Sequence, residues 1–133
     1  MWACWVGDSR AYWLPDVLDE GPGFALTDDD TGDHDALTAW LGADADDPEP
    51  HVRSYRPPWP GRLLLCTDGL SRYLPDAGSL QTALSEARPP DGDDDAPGLL
   101  RDARTLVGRA LDAGGRDNVT ALLIPVRQAA PRP

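Results

Sequence analysis

Short apolar runs alternate along the chain with acidic, proline- and glycine-rich stretches. The run Arg62-Leu63-Leu64-Leu65-Cys66, closed by Thr67-Asp68-Gly69, predicts a central strand buried on both faces. Met1 to Val6 and Arg10 to Leu14 read as two strands joined through Gly7-Asp8-Ser9 into a hairpin. Phe24 to Thr27 is a shorter apolar segment, His51 to Tyr55 an edge strand, and Val119 to Ile124 the last strand. Helical spacing appears in three places. Asp35 caps a short helix to Leu41, with Leu37, Trp40 and Leu41 on one face and Gly42 as its stop. Ser79 caps a helix over Leu80 to Ala87. Leu99 to Ala113 carries the longest stripe, through Ala103, Leu106, Val107, Ala110 and Leu111. Pro15 to Gly23 and Ala43 to Pro50 are loops, Pro89 to Gly98 is a mobile surface loop, and Pro57 to Gly61 is a rigid turn into the central strand. Residues 1–126 form one domain and residues 127–133 a tail, without internal repeats.

Composition narrows the partners. The net charge is −11, and all 12 basic residues are arginine. An acidic chain is repelled by nucleic acid and by anionic membranes, so neither is an expected partner. No run is long enough for a transmembrane helix, and no secretory signal opens the chain, so a cytoplasmic location is expected. Cys4 and Cys66 both lie in apolar runs and read as small core residues in a reducing compartment. Trp2 and Trp5 need large apolar surfaces to cover them, which hints at partner strands outside this sequence.

The acidic run from Asp28 to Asp35 excludes two chemistries. As a calcium loop beginning at Asp28, its sixth position is Asp33 rather than Gly and its twelfth is Ala39 rather than Glu. Asp30-Thr31-Gly32 has no second Asp-Thr-Gly with which to share a proton, as an aspartic protease requires. A solvated loop is the economical reading. His34 and His51 stand in polar contexts and are weak candidates for ligands or bases.

Asp68 sits at the exit of the central strand, where a rigid element holds a turn. Alone, Asp68-Gly69 reads as a tight turn. Two other segments share the design, Val6-Gly7-Asp8-Ser9-Arg10 and Gly115-Arg116-Asp117-Asn118-Val119. If the strands are sheet neighbours, three carboxylates meet at one end, and three converging carboxylates need a cation to remain ionised. Mg²⁺ and Mn²⁺ suit such a site, because hard ions take oxygen ligands and keep several waters. Two of them about 4 Å apart would activate a water and clamp a phosphoryl oxygen.

At these residues the chain resembles a family. Val6 to Tyr12, Leu64 to Leu70 and Gly114 to Thr120 resemble three consecutive motifs of the metal-dependent serine/threonine protein phosphatases, the PPM or type 2C family. Leu26-Thr27 with Asp29, and Leu37 to Asp44, resemble linking segments of its bacterial members. The resemblance runs from Trp5 to Val126 and implies an α+β fold: a partial α-β-β-α sandwich of two packed, mainly antiparallel sheets flanked by helices, with the N-terminal half missing. It implies hydrolysis of phosphoserine and phosphothreonine in phosphorylated proteins by a metal-activated water, without a phosphoenzyme. By resemblance, Asp68 and Asp117 hold the core Mg²⁺ or Mn²⁺ ions and Asp8 helps hold a third. Asn118 supports Asp117, Gly69 supports the Asp68 turn, and Arg10 pairs with a carboxylate inside the fold rather than with substrate.

The sequence departs from the family's pattern in ways that lower the expected activity. It lacks the Arg that grips phosphate and the Asp-Gly-x-Gly-Gly turn whose Asp bridges the metals. The segment between Thr27 and Leu37 is short, Asp30 stands where many members have His, and Ser71 where many have Trp. Three expectations follow: an impaired phosphatase that needs a missing half or another protein at its exposed sheet edge, an inactive phosphatase-like binding module, or an acidic globular domain whose aspartates are only caps and turns.

Overall fold

The computed structural model describes residues 1–16, 21–45, 47–87 and 96–127. Six strands and three helices follow in the order β1 (Trp2–Trp5), β2 (Arg10–Pro15), β3 (Phe24–Ala25), β4 (His51–Ser54), β5 (Gly61–Cys66), α1 (Asp68–Ser71), α2 (Ala77–Glu86), α3 (Ala96–Asp112) and β6 (Ala121–Val126). They make an α+β fold with a four-stranded antiparallel sheet, order β3-β2-β5-β6, and a two-stranded sheet, β1-β4. No helix among the described residues is long and apolar enough to cross a membrane.

The expected N-terminal hairpin does not form. β1 pairs with β4, Trp2 opposite Ser54, while β2 pairs with β3 and β5. Gly7, at φ +97°, turns the chain out of one sheet and into the other. The two sheets are tied by Trp5 Nε1, which donates to the Asp28 carbonyl at 2.7 Å, and by the Tyr55 hydroxyl, which donates to the Leu26 carbonyl.

The main core lies between the four-stranded sheet and the helices. Tyr12, Leu14, Leu64 and Cys66 point to this side and meet Leu70, Leu80, Leu84, Leu106 and Ala110. Burial of each large side chain here contributes about 2 kcal/mol. On the other face Ala11, Trp13 and Leu26 form a smaller cluster with Tyr55, Leu63 and Val126. That face is only partly covered. Leu65 is 38% exposed, and its neighbours Leu122 and Ile124 are 52% and 36% exposed. The central strand is therefore fully buried on its helical face alone, not on both.

Local chemistry corrects several boundaries. Asp76, not Ser79, caps α2; its side chain accepts from the Ser79 N–H at 2.8 Å, while the Ser79 hydroxyl answers the Asp76 N–H. The helix expected from Asp35 to Leu41 is absent. His34 and Asp35 take φ of 59° and 58°, which no right-handed helix admits. Residues 30–38 instead fold back on themselves, with Gly32 N–H on the Ala36 carbonyl at 2.8 Å and Thr38 N–H on the Asp30 carbonyl at 2.8 Å. Cys66 is buried, but Cys4 is exposed and is no core residue. The loop expected over Pro89 to Gly98 yields its last three residues to α3. The rest of that loop, the tail beyond Arg127 and part of the Pro15 to Gly23 loop lie outside the described residues.

Candidate metal centre

The strand register determines where the three aspartate turns lie. Arg10 opposes Cys66 across β2 and β5, and Cys66 opposes Ala121 across β5 and β6. Asp8 lies two residues before Arg10, Asp68 two after Cys66, and Asp117 four before Ala121. In antiparallel strands, segments placed this way emerge at the same sheet end.

The Asp68 and Asp117 turns are bonded to one another there. The Thr67 hydroxyl donates to the Asn118 carbonyl at 3.0 Å and accepts from the Thr120 N–H at 3.1 Å. Gly69 is required by close approach: a Cβ on it would lie 2.4 Å from the Asn118 carbonyl oxygen and 3.5 Å from the Asp117 carbonyl carbon. The Asp68 and Asp117 turns are thus packed backbone to backbone.

The carboxylates themselves differ. Asp8 is half-buried; burial raises its pKa, and the nearby negative charge of Asp68 raises it further. Asp68 opens α1, and its Oδ2 accepts from Arg72 Nη2 at 2.9 Å, one helical turn on. The Arg72 charge also reaches Asp8, in the lowering direction. Asp117 is exposed, and its Oδ1 accepts from the N–H of Asn118 at 2.7 Å. The structure therefore gives Asn118 a main-chain contact with Asp117.

Arg10 is held inside the fold. Its Nη2 donates to Asp29 Oδ2 at 2.6 Å and its Nε to Oδ1 at 2.8 Å, a bidentate pair. The charge-assisted contact drives the Arg10 pKa upward. Asp30, in the supposed solvated loop, accepts from the Gly7 N–H at 2.8 Å and contacts His51 Nε2 at 2.6 Å. His51 stacks on Trp5 with ring centroids 5.0 Å apart.

Asp8 and Asp68 are two hard oxygen donors within electrostatic reach of each other, a set that fits a partly hydrated Mg²⁺ or Mn²⁺. Among the described residues, no group of three acidic, histidine or cysteine side chains closes on a single point. Arg72 is the residue here that the three-turn pattern does not include; its signal in the sequence is the i,i+4 spacing from Asp68, which brings side chains together on a helix.

This fold, with its carboxylate-bearing turns at one sheet end, is that of part of a PPM-type serine/threonine phosphatase domain. Among solved structures, the chain is similar to PppA, a key regulatory component of T6SS in Pseudomonas aeruginosa: TM-score 0.67 and 27% identity over 92% of this chain and 50% of that one. It is similar to the Mycobacterium tuberculosis serine/threonine phosphatase PstP/Ppp, with TM-score 0.66 and 26% identity over 96% of this chain and 55% of that one. A structure of the catalytic domain of PstP in complex with two manganese ions gives TM-score 0.63 and 30% identity, over 96% of this chain and 54% of that one. The chain thus spans about half the length of the solved structures it matches. No protein-family model matches the chain, and no curated protein does.

Proposed function

We propose that the chain is the metal-holding part of a protein serine/threonine phosphatase that acts on phosphorylated proteins. The observation that carries this reading is the register that brings the Asp8, Asp68 and Asp117 turns to one end of the four-stranded sheet. Asp8 and Asp68 would hold a Mg²⁺ or Mn²⁺ ion, and Asp117 would join them by turning from its own Asn118 N–H. Such an ion, when bound, supplies an activated water and neutralises charge on the phosphoryl group. Gly69 and Thr67 fix the spacing of the turns, and Arg10 braces the strand behind Asp8 through Asp29. The half-covered face of Leu65, Leu122 and Ile124 is where a further protein segment would pack to complete the domain.

One observation favours a second reading, a phosphatase-like binding module without catalysis. Arg72 already supplies Asp68 with a positive partner at 2.9 Å, the role a metal would otherwise take. Hydrolysis of p-nitrophenyl phosphate by the full chain in Mn²⁺ separates the two. The first reading predicts slow, Mn²⁺-dependent turnover that Asp68→Ala abolishes; turnover indistinguishable from Asp68→Ala supports the second.

A further inference from the structure

The other end of the same sheet holds a cavity for which the phosphatase reading has no use. It has a volume of about 310 Å³ and lies between the ends of β2 and β6, the start of β5, and helices α2 and α3. Small-molecule sites begin at about this size. Across the six residues of β5, it is about 17 Å from the carboxylate turns.

Its wall has two chemistries. Leu84, Leu99 and Pro125 supply apolar surface, and Arg62, Gln81 and Arg101 supply N–H groups. Among the described residues, Arg62 Nε, Gln81 Nε2 and Arg101 Nε are buried without a hydrogen-bond acceptor. The Gln81 amide is oriented from its other end, where Oε1 accepts from the Gly23 N–H at 3.2 Å. Arg62 is anchored by Nη1, which donates to Asp102 Oδ2 at 2.5 Å, so its Nε is left over. Asp16 Oδ1 lies 3.5 Å from Arg62 Nε and Asp102 Oδ1 4.0 Å from Arg101 Nε, with no hydrogen bond made at either.

Buried donors are normally satisfied by protein, water or ligand. All three orphans are donors, so the matching guest is rich in acceptors. Among the described residues that line the cavity, Arg62, Arg101 and Arg127 outnumber Asp16 and Asp102, in a chain of net charge −11. The guest's acceptors are therefore best carried by an anion, and the apolar wall calls for a hydrocarbon part. We propose that this cavity binds a small organic acid, with its carboxylate among the N–H groups of Arg62, Gln81 and Arg101 and its hydrocarbon part against Leu84, Leu99 and Pro125.

Hexanoate tests this, with inorganic phosphate as an anion lacking the hydrocarbon. Each is titrated into the ¹⁵N-labelled full chain while the side-chain N–H signals of Gln81, Arg62 and Arg101 are followed. Hexanoate should shift these signals saturably, with an affinity at least about fivefold above that of phosphate. Gln81→Met and Arg101→Met should each lower hexanoate affinity by at least about fivefold while the amide spectrum of the sheet stays unchanged. Two variants are used so that the loss of fold in one leaves the other to decide. Absence of saturable shifts, equal affinity for phosphate, or undiminished binding in the folded variants would overturn the assignment.

Discussion

The two ends of β2, β5 and β6 are built from the same three strands and have opposite characters. At one end, the Asp68 and Asp117 turns are packed together and the Asp8 turn emerges beside them, with an excess of oxygen donors. At the other, Arg62, Gln81 and Arg101 surround a cavity with an excess of N–H groups. Antiparallel register brings the ends of the three strands together at each side; the residues placed there, on turns at the acid end and on β5, α2 and α3 at the arginine end, decide what each end attracts. The acid end has the chemistry of a cation site and the arginine end that of an anion site.

The largest expected effect comes from breaking the backbone packing of the acid end. Gly69→Ala would drive a methyl into the Asn118 carbonyl and should cost about 3 kcal/mol, read by urea denaturation. Retention of wild-type stability would mean that the Asp68 and Asp117 turns are not locked together. Next is Arg62→Met at the arginine end. It leaves Asp102, which is mostly buried, without its partner and should cost about 2 kcal/mol by the same measurement.

A smaller effect should follow pH. The Gly7 N–H and His51 hold the Asp30 carboxyl below its ordinary pKa. A depressed carboxylate stabilises the fold above the ordinary value, and that stabilisation fades as pH falls through the folded-state pKa. Asp30→Asn should therefore lower Tm at about pH 6 and make little difference at about pH 2. A constant Tm gap across that range would show that the Asp30 charge is not involved. The mildest change is Arg72→Gln, which removes the cation beside Asp68 and should tighten Mn²⁺ binding about threefold, measured by calorimetry. Weaker binding would show that Arg72 helps rather than competes.

The parts of the fold legible in the sequence are those set by local pattern. β5, α3 and the three Asp turns follow from apolar runs and their punctuation. What escaped depends on distant partners or on backbone angle. Nothing near Trp2 announces that it pairs with Ser54, because register is a non-local property; a Gly-Asp-Ser turn between two strands looks like a hairpin until Gly7 bends away. The apolar stripe through Leu37, Trp40 and Leu41 suggested a helix, yet the left-handed angles of His34 and Asp35 direct the chain into a fold-back. Leu63 and Leu65 looked as buried as Leu64, since an unbroken apolar run records what a strand could bury rather than what covers it. At the candidate site, the strand-and-turn pattern points to Asp8, Asp68 and Asp117; Arg72 is legible only as the i,i+4 partner of Asp68, and its contact changes how available that carboxylate is.

If aspartates remote in sequence share divalent ions at one rim of the sheet, removing them must weaken metal binding. Mn²⁺ is titrated calorimetrically into the full chain and into Asp68→Ala, Asp117→Ala and Asp29→Ala. The first two variants should lose at least about tenfold in affinity. Asp29→Ala, which removes the partner of Arg10 and a charge near Asp8 but no candidate ligand, should lose much less than either. Equal losses in all three, or none in any, would mean that these aspartates hold no common ion.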